Sequence, residues 1–276
     1  MNGDIKTIAM NELLIAVRSK WVLAFSIVFA AISLAVSFAG TSGAFAGFQD
    51  FMRTVASLLN LSLYLVPLFS LILGAVSFTP APDSGRFEFD LAQPITRTSY
   101  VLGKYFGLFL ALTLATTAGF GIAGLVISFL AEGADVLAYI AFVLLSVTLG
   151  IVFLSISAFL SLTIFMRGPV LASSLALWFG FVILYDLVVM WVATNFEGDT
   201  LRTMLFVLLF GNPVDLVRVA TLFIVGGKVI FGPTAGALLK FVGGTHIGVV
   251  LLVSALAMWG GCPLVIAVKI FSRKDI

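Results

Sequence analysis

Six long apolar stretches constrain the possible folds of this chain more than any other feature. A helix needs about 20 apolar residues to cross about 30 Å of hydrocarbon, and few other structures satisfy their backbone hydrogen bonds there. The stretches of sufficient length are residues 21–38, 55–78, 105–131, 136–165, 170–194 and 247–268. With 61% hydrophobic residues, the chain has more apolar surface than a soluble domain could bury. We therefore predict an all-α integral membrane protein with six transmembrane helices.

The positions of lysine and arginine predict the orientation, because short cytoplasmic segments carry an excess of these residues. A cytoplasmic N-terminus places ten of the fifteen cations inside. These ten are Lys6, Arg18, Lys20, Arg86, Arg97, Lys104, Arg167, Lys269, Arg273 and Lys274. Most of the others fall in a segment too long for the charge rule to apply strictly. Both termini are therefore predicted to be cytoplasmic.

The segment 195–246 is the large outer segment of this topology. Its apolar stretches 203–214 and 219–227 are each too short to cross a bilayer, and Asp215 and Arg218 interrupt any attempt to join them. We interpret them as interfacial or re-entrant helices at the outer face. The alternative is one additional crossing, which would place the C-terminus outside, against the charge rule.

Residues 1–20 have the pattern of an amphipathic helix. Apolar side chains recur near helical spacing, while Lys6, Asn11 and Arg18 lie away from them. The apolar residues are Ile5, Ile8, Ala9, Leu13, Ala16 and Val17. We predict an interfacial helix in the cytoplasmic headgroup layer, with Trp21 at the membrane boundary. The alternative is a first transmembrane helix that protrudes into water.

A cluster of charges interrupts the apolar chain within residues 80–104. It comprises Asp83, Arg86, Glu88, Asp90, Arg97 and Lys104. Each ionised side chain costs about 2.5–3.5 kcal/mol at mid-bilayer, so this segment is predicted to be a cytoplasmic loop. Prolines bracket a short helical stretch whose apolar side is Phe87, Leu91 and Phe89. That side either dips back into lipid or enters a groove on a cytoplasmic partner.

Residues 84–107 resemble the intracellular signature of ABC-2-type transporter permeases. The matching residues are Gly85, Arg86, Phe87, Glu88 and Phe89, then Pro94, Ile95, Thr96 and Arg97, then Leu102, Gly103 and Lys104. The likeness extends along the chain and implies a single ABC-2 transmembrane domain over 1–276, of the type V exporter-like architecture. It implies that the loop is a coupling helix resting on an ATPase subunit. The coupling residues would be Gly85, Arg86, Phe87, Glu88, Phe89, Asp90, Leu91 and Arg97.

Within this family, the chain resembles permeases that support maturation of the copper centres of periplasmic nitrous oxide reductase in denitrifying bacteria. This resemblance implies a homodimer in the inner membrane and two copies of a separate cytoplasmic ATPase, which would bind ATP and Mg. It also implies a periplasmic accessory protein such as a copper chaperone. The alternative within the family is an exporter for a lipid-linked glycan or small amphiphile. A secondary transporter or membrane enzyme is the alternative from another class.

Several chemistries have no pattern in this sequence. Gly-Lys pairs occur at Gly227–Lys228 and Gly103–Lys104, but neither has the Walker A continuation, so ATP hydrolysis is predicted to belong to another chain. No cofactor or metal is predicted here, because His246 is the single histidine and the methionines are not clustered. The cations form no patch for nucleic acid. A formal GxGxxG at Gly119, Gly121 and Gly124 lies within an apolar span and predicts helix packing.

Asp186 is the acidic residue within the predicted fifth span, near Tyr185 and Trp191. An ionisable residue inside a membrane suggests a pathway or partner role. The alternative is that its carboxylate reaches the outer boundary, since no cation lies three or four residues away. The outer stretch 211–218, GNPVDLVR, shares in the family likeness. We therefore predict that Asp186, Asn212, Asp215 and Arg218 serve a transport pathway or contact a partner.

Overall fold

The computed structural model describes residues 2–41, 48–79, 95–130, 135–225 and 245–273. Within these ranges, the regular structure is entirely helical. The helices are α1 (Asn2–Arg18), α2 (Lys20–Thr41), α3 (Phe48–Phe78), α4 (Arg97–Leu130), α5 (Val136–Ile164), α6 (Arg167–Phe179), α7 (Tyr185–Asn195), α8 (Gly198–Gly211), α9 (Pro213–Val225) and α10 (Thr245–Arg273). A π-helical segment, Gly180–Leu184, joins α6 to α7.

Six spans in the described residues are long and apolar enough to cross a membrane, as the sequence predicts. They are Lys20–Ala39, Arg53–Phe78, Arg97–Phe129, Val136–Ile164, Arg167–Asn195 and Val250–Arg273. The pair α8–α9 would add a seventh only if taken together, but the two helices meet at 106°. A bend of this size rules out a straight crossing and makes the pair either a broken span or a re-entrant loop, and we call the pair the elbow.

Helix α5 occupies the centre of the bundle and packs against α3, α4, α9 and α10. It is apolar on all sides, which suits a helix surrounded by other helices. Phe142 of α5 meets Phe120 of α4 edge-on, with ring centroids 4.9 Å apart. The Ser157 hydroxyl of α5 donates to the Leu71 carbonyl oxygen of α3 at 2.7 Å. These contacts fix the helices that carry the two ends of the charged loop.

The glycines of the formal GxGxxG lie in α4 and serve helix packing. A Cβ atom built on Gly119 would lie 2.5 Å from Cδ1 of Phe29 on α2, and one on Gly124 would lie 2.6 Å from Cε1 of Tyr139. A Cβ on Gly121 would meet no atom within 4 Å. The first and third glycines therefore allow neighbouring side chains to approach the α4 backbone.

The described helices bear on two expectations from the sequence. Helix α4 begins at Arg97, so residues 97–104 of the predicted loop are helical. Hydropathy marks the apolar part of a helix, and this helix continues beyond that part. Helix α1 ends at Arg18, and Ser19 separates it from α2, so the first span does not simply protrude. The face of α1 that packs on α4 buries Glu12, whereas Val17 is exposed.

Candidate functional site

The base of the charged loop is the first part of the candidate site. The predicted coupling residues Gly85 to Leu91 lie outside the described residues. Arg97 is described, is half-buried and is the first residue of α4. The structure therefore describes the two helices between which the loop runs, α3 and α4.

Thr96 starts α4 in the manner of a capping residue. The Ser99 amide donates to Oγ1 of Thr96 at 3.2 Å, and the Tyr100 amide donates to the Thr96 carbonyl oxygen at 3.0 Å. A threonine at this position satisfies an amide that has no partner inside the helix. The Pro-Ile-Thr-Arg stretch thus sets where the loop ends and the helix begins.

Lys104 joins the helices on either side of the loop. Its Nζ donates to the carbonyl oxygen of Ser77, near the end of α3, at 2.6 Å and to Oη of Tyr100 at 3.2 Å. Nζ also lies 5.3 Å from the centroid of the Tyr100 ring. The lysine of the Leu-Gly-Lys stretch is 9% exposed. It therefore ties the beginning of α4 to the end of α3.

Gly103 and Gly107 allow α1 to pack closely on α4. A Cβ on Gly103 would lie 2.7 Å from Cβ of Ile8, and one on Gly107 would lie 2.5 Å from the carbonyl oxygen of Ala9. A Cβ on Gly107 would also lie 2.8 Å from Cβ of Glu12. The sequence suggested a close helix approach at this glycine pair, and the structure identifies α1 as the partner.

We expect Gly107→Val to displace α1, because the clashing atom belongs to the α1 backbone and cannot rotate away. Overpacking of this kind costs about 1–3 kcal/mol. The measurement is the rate of limited proteolysis after Lys6 and Arg18, which should rise at least several-fold. Gly121→Val is the matched control on the same helix, since a Cβ there meets nothing within 4 Å. Equal cleavage of both variants would contradict the proposed packing role of Gly107.

The second part of the candidate site is an ion-paired cluster near the α8–α9 elbow. Arg218 donates from Nη1 and Nη2 to Oδ1 and Oδ2 of Asp186, at 2.9 and 3.0 Å. Nη1 also donates to Oδ1 of Asp215 at 2.8 Å. The side chains of Arg218, Asp186 and Asp215 are 28%, 38% and 11% exposed, respectively. One guanidinium thus joins two carboxylates from different helices, in the bidentate geometry that makes arginine pairs strong.

Asn212 extends this cluster to the π-helical segment. Its Nδ2 donates to the carbonyl oxygen of Phe181 at 2.9 Å and to Oδ2 of Asp215 at 3.2 Å. Its Oδ1 accepts a hydrogen bond from the Val214 amide at 3.0 Å. Asn212 is fully buried. Asn212 stands between α8 and α9, where Pro213 begins the second helix. The asparagine therefore caps α9 and attaches the elbow to the fifth span.

Two aromatic residues also attach the elbow to the bundle. Oη of Tyr185 donates to the Leu208 carbonyl oxygen at 2.7 Å, and Nε1 of Trp259 donates to the Phe210 carbonyl oxygen at 3.1 Å. Carbonyl groups at the end of α8 lack helical partners, so these bonds satisfy them within the protein. A Cβ on Gly211 would lie 2.5 Å from Oη of Tyr185, so that position favours glycine.

The elbow reaches deep into the bundle. Phe181, whose carbonyl group binds Asn212, lies fourteen residues from either end of the span Arg167–Asn195. At about 1.5 Å per residue, this is about 21 Å from each end. The elbow therefore meets the fifth span near its middle, at a π-helical segment of the kind often found at functional sites.

The structure brings together Asp186, Asn212, Asp215 and Arg218. Asp215 and Arg218 both lie within α9, and the break between α8 and α9 is at Asn212, inside the apolar stretch 203–214. Asp186 finds its cation 32 positions away, a distance that helical spacing does not reveal. Sequence reasoning also missed Phe181, Trp259 and Glu12. Phe181 contributes only its backbone carbonyl group, Trp259 lies in an apolar stretch, and Glu12 is an isolated acid, so none of them belongs to a motif that indicates a site.

In the described part of the chain, no three histidine, cysteine or acidic side chains are grouped so that they could hold a metal ion. The two carboxylates of the elbow cluster are both bound to Arg218. The cluster is therefore arranged to join helices within apolar surroundings.

Comparison with known proteins relates the whole chain to transporter subunits. The profile of the family described as ABC-2 family transporter protein matches residues 6–276. A Pseudomonas aeruginosa protein named "Probable ABC transporter permease protein NosY" is 34% identical over 275 residues, which cover 98% of each chain. A Stutzerimonas stutzeri protein of the same name is 31% identical over 277 residues, which cover 99% of each.

Proposed function

The chain belongs to the ABC-2 family of transporter proteins, and from this premise we propose that its transporter supports assembly of the copper centres of nitrous oxide reductase. The chain itself is the membrane permease, and ATP hydrolysis belongs to a separate subunit. The observation that carries the finer proposal is the full-length likeness to two proteins named NosY. A likeness over nearly the whole of both chains includes the loop base and the elbow as well as the apolar spans.

We propose a complex of two permease copies, two cytoplasmic ATPase subunits that bind ATP and Mg, and a periplasmic accessory protein such as a copper chaperone. The complex lies in the bacterial inner membrane with both permease termini in the cytoplasm. The charge distribution supports this orientation, because the loop base and the start of α6 carry Arg97, Lys104 and Arg167.

The geometry supports a route for mechanical coupling. Lys104 binds the loop base into α3 and α4, and α1 packs on α4 at Gly103 and Gly107. Force from an ATPase on the loop would therefore move several helices together. The fifth span begins at this same end of the bundle and holds the elbow through Phe181 and Asp186. We propose that displacement of this span is transmitted to α8 and α9.

The beginning of α8 is the candidate surface for the periplasmic partner. Glu197 and Asp199 are exposed there, and Arg202 pairs with Asp199 at 3.2 Å with both side chains largely exposed. No residue of α8 is buried in the single chain. The beginning of α8 is exposed and charged, and the end of α8 is held by the elbow. A partner bound at the beginning of α8 would therefore follow the motion of the permease.

The proposal is tested by purifying the tagged permease from its native host in a mild detergent and identifying the bound proteins by mass spectrometry. We expect a nucleotide-binding subunit and a periplasmic protein, with ATPase activity that changes when the periplasmic protein is added. Deletion of the permease gene should leave nitrous oxide reductase deficient in copper, and a plasmid copy should restore it. Full copper content in the deletion strain would overturn the proposed role.

A further inference from the structure

A deep apolar cleft of about 940 Å³ lies beside the loop base. Helix α3 forms its floor, and α2 and α6 form its walls. The lining includes Phe25, Val28, Leu68, Ile72, Leu171 and Leu175. This volume lies at the upper end of the range for sites that enclose small molecules. The cleft is therefore large enough for an amphiphile with extended chains.

The length of the cleft matches one leaflet of a bilayer. Its lining on α3 runs from Leu65 to Thr79, which is about 21 Å at 1.5 Å per residue. Half of a 30 Å hydrocarbon core together with one headgroup layer is about 20–22 Å thick. Beyond the inner end of the cleft, Nε1 of Trp178 on α6 donates to the Tyr64 carbonyl oxygen of α3 at 2.9 Å, which joins wall to floor. The cleft thus extends from headgroup depth to about mid-bilayer.

The end of the cleft at the loop base is polar and carries positive charge. Arg167 and Lys104 line it, together with Ser19, Thr79 and the acidic side chain of Glu12. Lys104 and Glu12 are each more than nine-tenths buried, at 9% and 6% exposed. Arg167 makes no ion pair among the residues that the structure describes. Among the described lining residues, Arg167 is therefore the cation that remains to pair with an anionic group at this end.

The side of the cleft is open to the surroundings of the bundle. Trp21 is 79% exposed at the polar end, and Val28 and Leu175 are also exposed along the walls. In the single chain, these apolar side chains on two membrane-spanning helices are accessible from outside the bundle, and tryptophan is typical of the headgroup boundary. A lipid can therefore enter sideways, with its chains against the apolar floor.

We propose that this cleft binds one anionic phospholipid, with its phosphate beside Arg167 and its acyl chains along α3. The lipid comes from the leaflet on the side of the charged loop. This leaflet is the cytoplasmic one in the proposed orientation, but the binding geometry does not depend on that assignment. The bound lipid would join α2 to α6 next to the loop base, where α3 and α4 are tied by Lys104.

The test is native mass spectrometry of the full-length permease, reconstituted in nanodiscs of phosphatidylglycerol and phosphatidylcholine in equal amounts and then released. We expect the permease to retain phosphatidylglycerol with a preference of at least about fivefold, since a basic residue at a membrane surface contributes about 1 kcal/mol. Equal retention of both lipids would overturn the proposal, because it would indicate only the ordinary lipid annulus.

Two kinds of variant locate the lipid. Arg167→Glu should abolish the preference for phosphatidylglycerol, whereas Arg202→Glu, on the exposed end of α8, should keep it. Ala24→Trp fills the cleft from α2 and should lower lipid retention several-fold. Its matched control is Ala35→Trp, an exposed position on the same helix beyond Ile32, where the cleft lining on α2 ends.

The outcome of the Ala24→Trp experiment also distinguishes the other occupants. If this variant lowers the fraction of dimer and leaves phosphatidylglycerol retention unchanged, a second copy occupies the cleft and the lipid proposal is wrong. Unchanged retention with an unchanged dimer fraction would also overturn it. Binding of the ATPase subunit is measured in parallel, so that failure of the lipid proposal remains distinct from failure of the proposed transporter function.

Discussion

Replacing Arg218 by alanine is expected to destabilise the permease severely. The substitution leaves Asp186 and Asp215 facing each other without the guanidinium that binds both. Removing one partner of a fully buried ion pair costs about 3–5 kcal/mol, and the partial exposure of Arg218 and Asp186 places the expected loss near or below the lower end of that range. The measurement is the midpoint temperature and recovered yield of monodisperse protein in detergent, both of which should fall sharply relative to wild type.

A double-mutant cycle separates the ion pair from simple loss of contacts. The cycle compares Asp186→Asn, Arg218→Gln and the double variant. The double variant should recover part of the stability that Arg218→Gln alone loses, because it leaves one unpaired carboxylate fewer. Arg202→Ala is the control for an exposed pair, where a loss of about 0–1 kcal/mol is expected. If Arg218→Ala is no more harmful than Arg202→Ala, the cluster does not anchor the elbow.

The same cycle tests the functional interpretation of Asp186. A Asp186→Asn variant that folds normally but fails to support copper incorporation would place this carboxylate in the working of the transporter. Normal assembly of the complex together with normal copper incorporation would exclude that role. Stability and function are therefore measured on the same preparations.

Replacing both Phe87 and Phe89 by aspartate is expected to release the ATPase subunit while the permease remains in the membrane. These aromatic residues belong to the predicted coupling helix. Buried interface aromatics each contribute about 2 kcal/mol or more, so losing two weakens binding by about a thousandfold if their effects add. The measurement is the amount of ATPase that co-purifies with the tagged permease, together with the affinity of the isolated subunits in detergent.

A matched variant distinguishes an ATPase groove from the lipid surface as the place where these rings lie. Phe87→Leu with Phe89→Leu keeps the apolar character and should retain most of the binding. If the rings lie in lipid instead, the aspartate variant should be cleaved faster within the loop, and the amount of ATPase recovered with the permease should not change. Full association of the ATPase with the aspartate variant would refute the coupling assignment.

The sequence predicted the four elbow residues as candidates, but it did not predict how they are arranged. Asp186 stood out because an acid in an apolar span is costly, and Asn212, Asp215 and Arg218 stood out through the family likeness. Helical spacing gave Asp186 no cation, since its partner Arg218 lies 32 positions away on α9. The break between α8 and α9 lies at Asn212, before the two charges, because Asp215 and Arg218 pair within the elbow instead of lying in a surface loop.

The loop base shows the same division between the sequence and the structure. The Gly103–Gly107 spacing indicated a close helix approach, but a spacing carries no information about which helix approaches. The packing of α1 is decided by backbone atoms, such as the Ala9 carbonyl oxygen. Lys104 likewise finds a backbone carbonyl acceptor at Ser77, and every residue offers such an acceptor.

By itself, the sequence determined that the chain crosses a membrane, because the cost of exposing backbone and charge to hydrocarbon is local and can be read from each segment. It also determined the family, through a likeness that extends along the chain. Only the tertiary structure decided that the break between α8 and α9 meets the fifth span near its middle, that one arginine joins two acids on different helices, and that an apolar cleft opens beside the loop base. These features depend on contacts between residues far apart in the chain, and no local pattern specifies them.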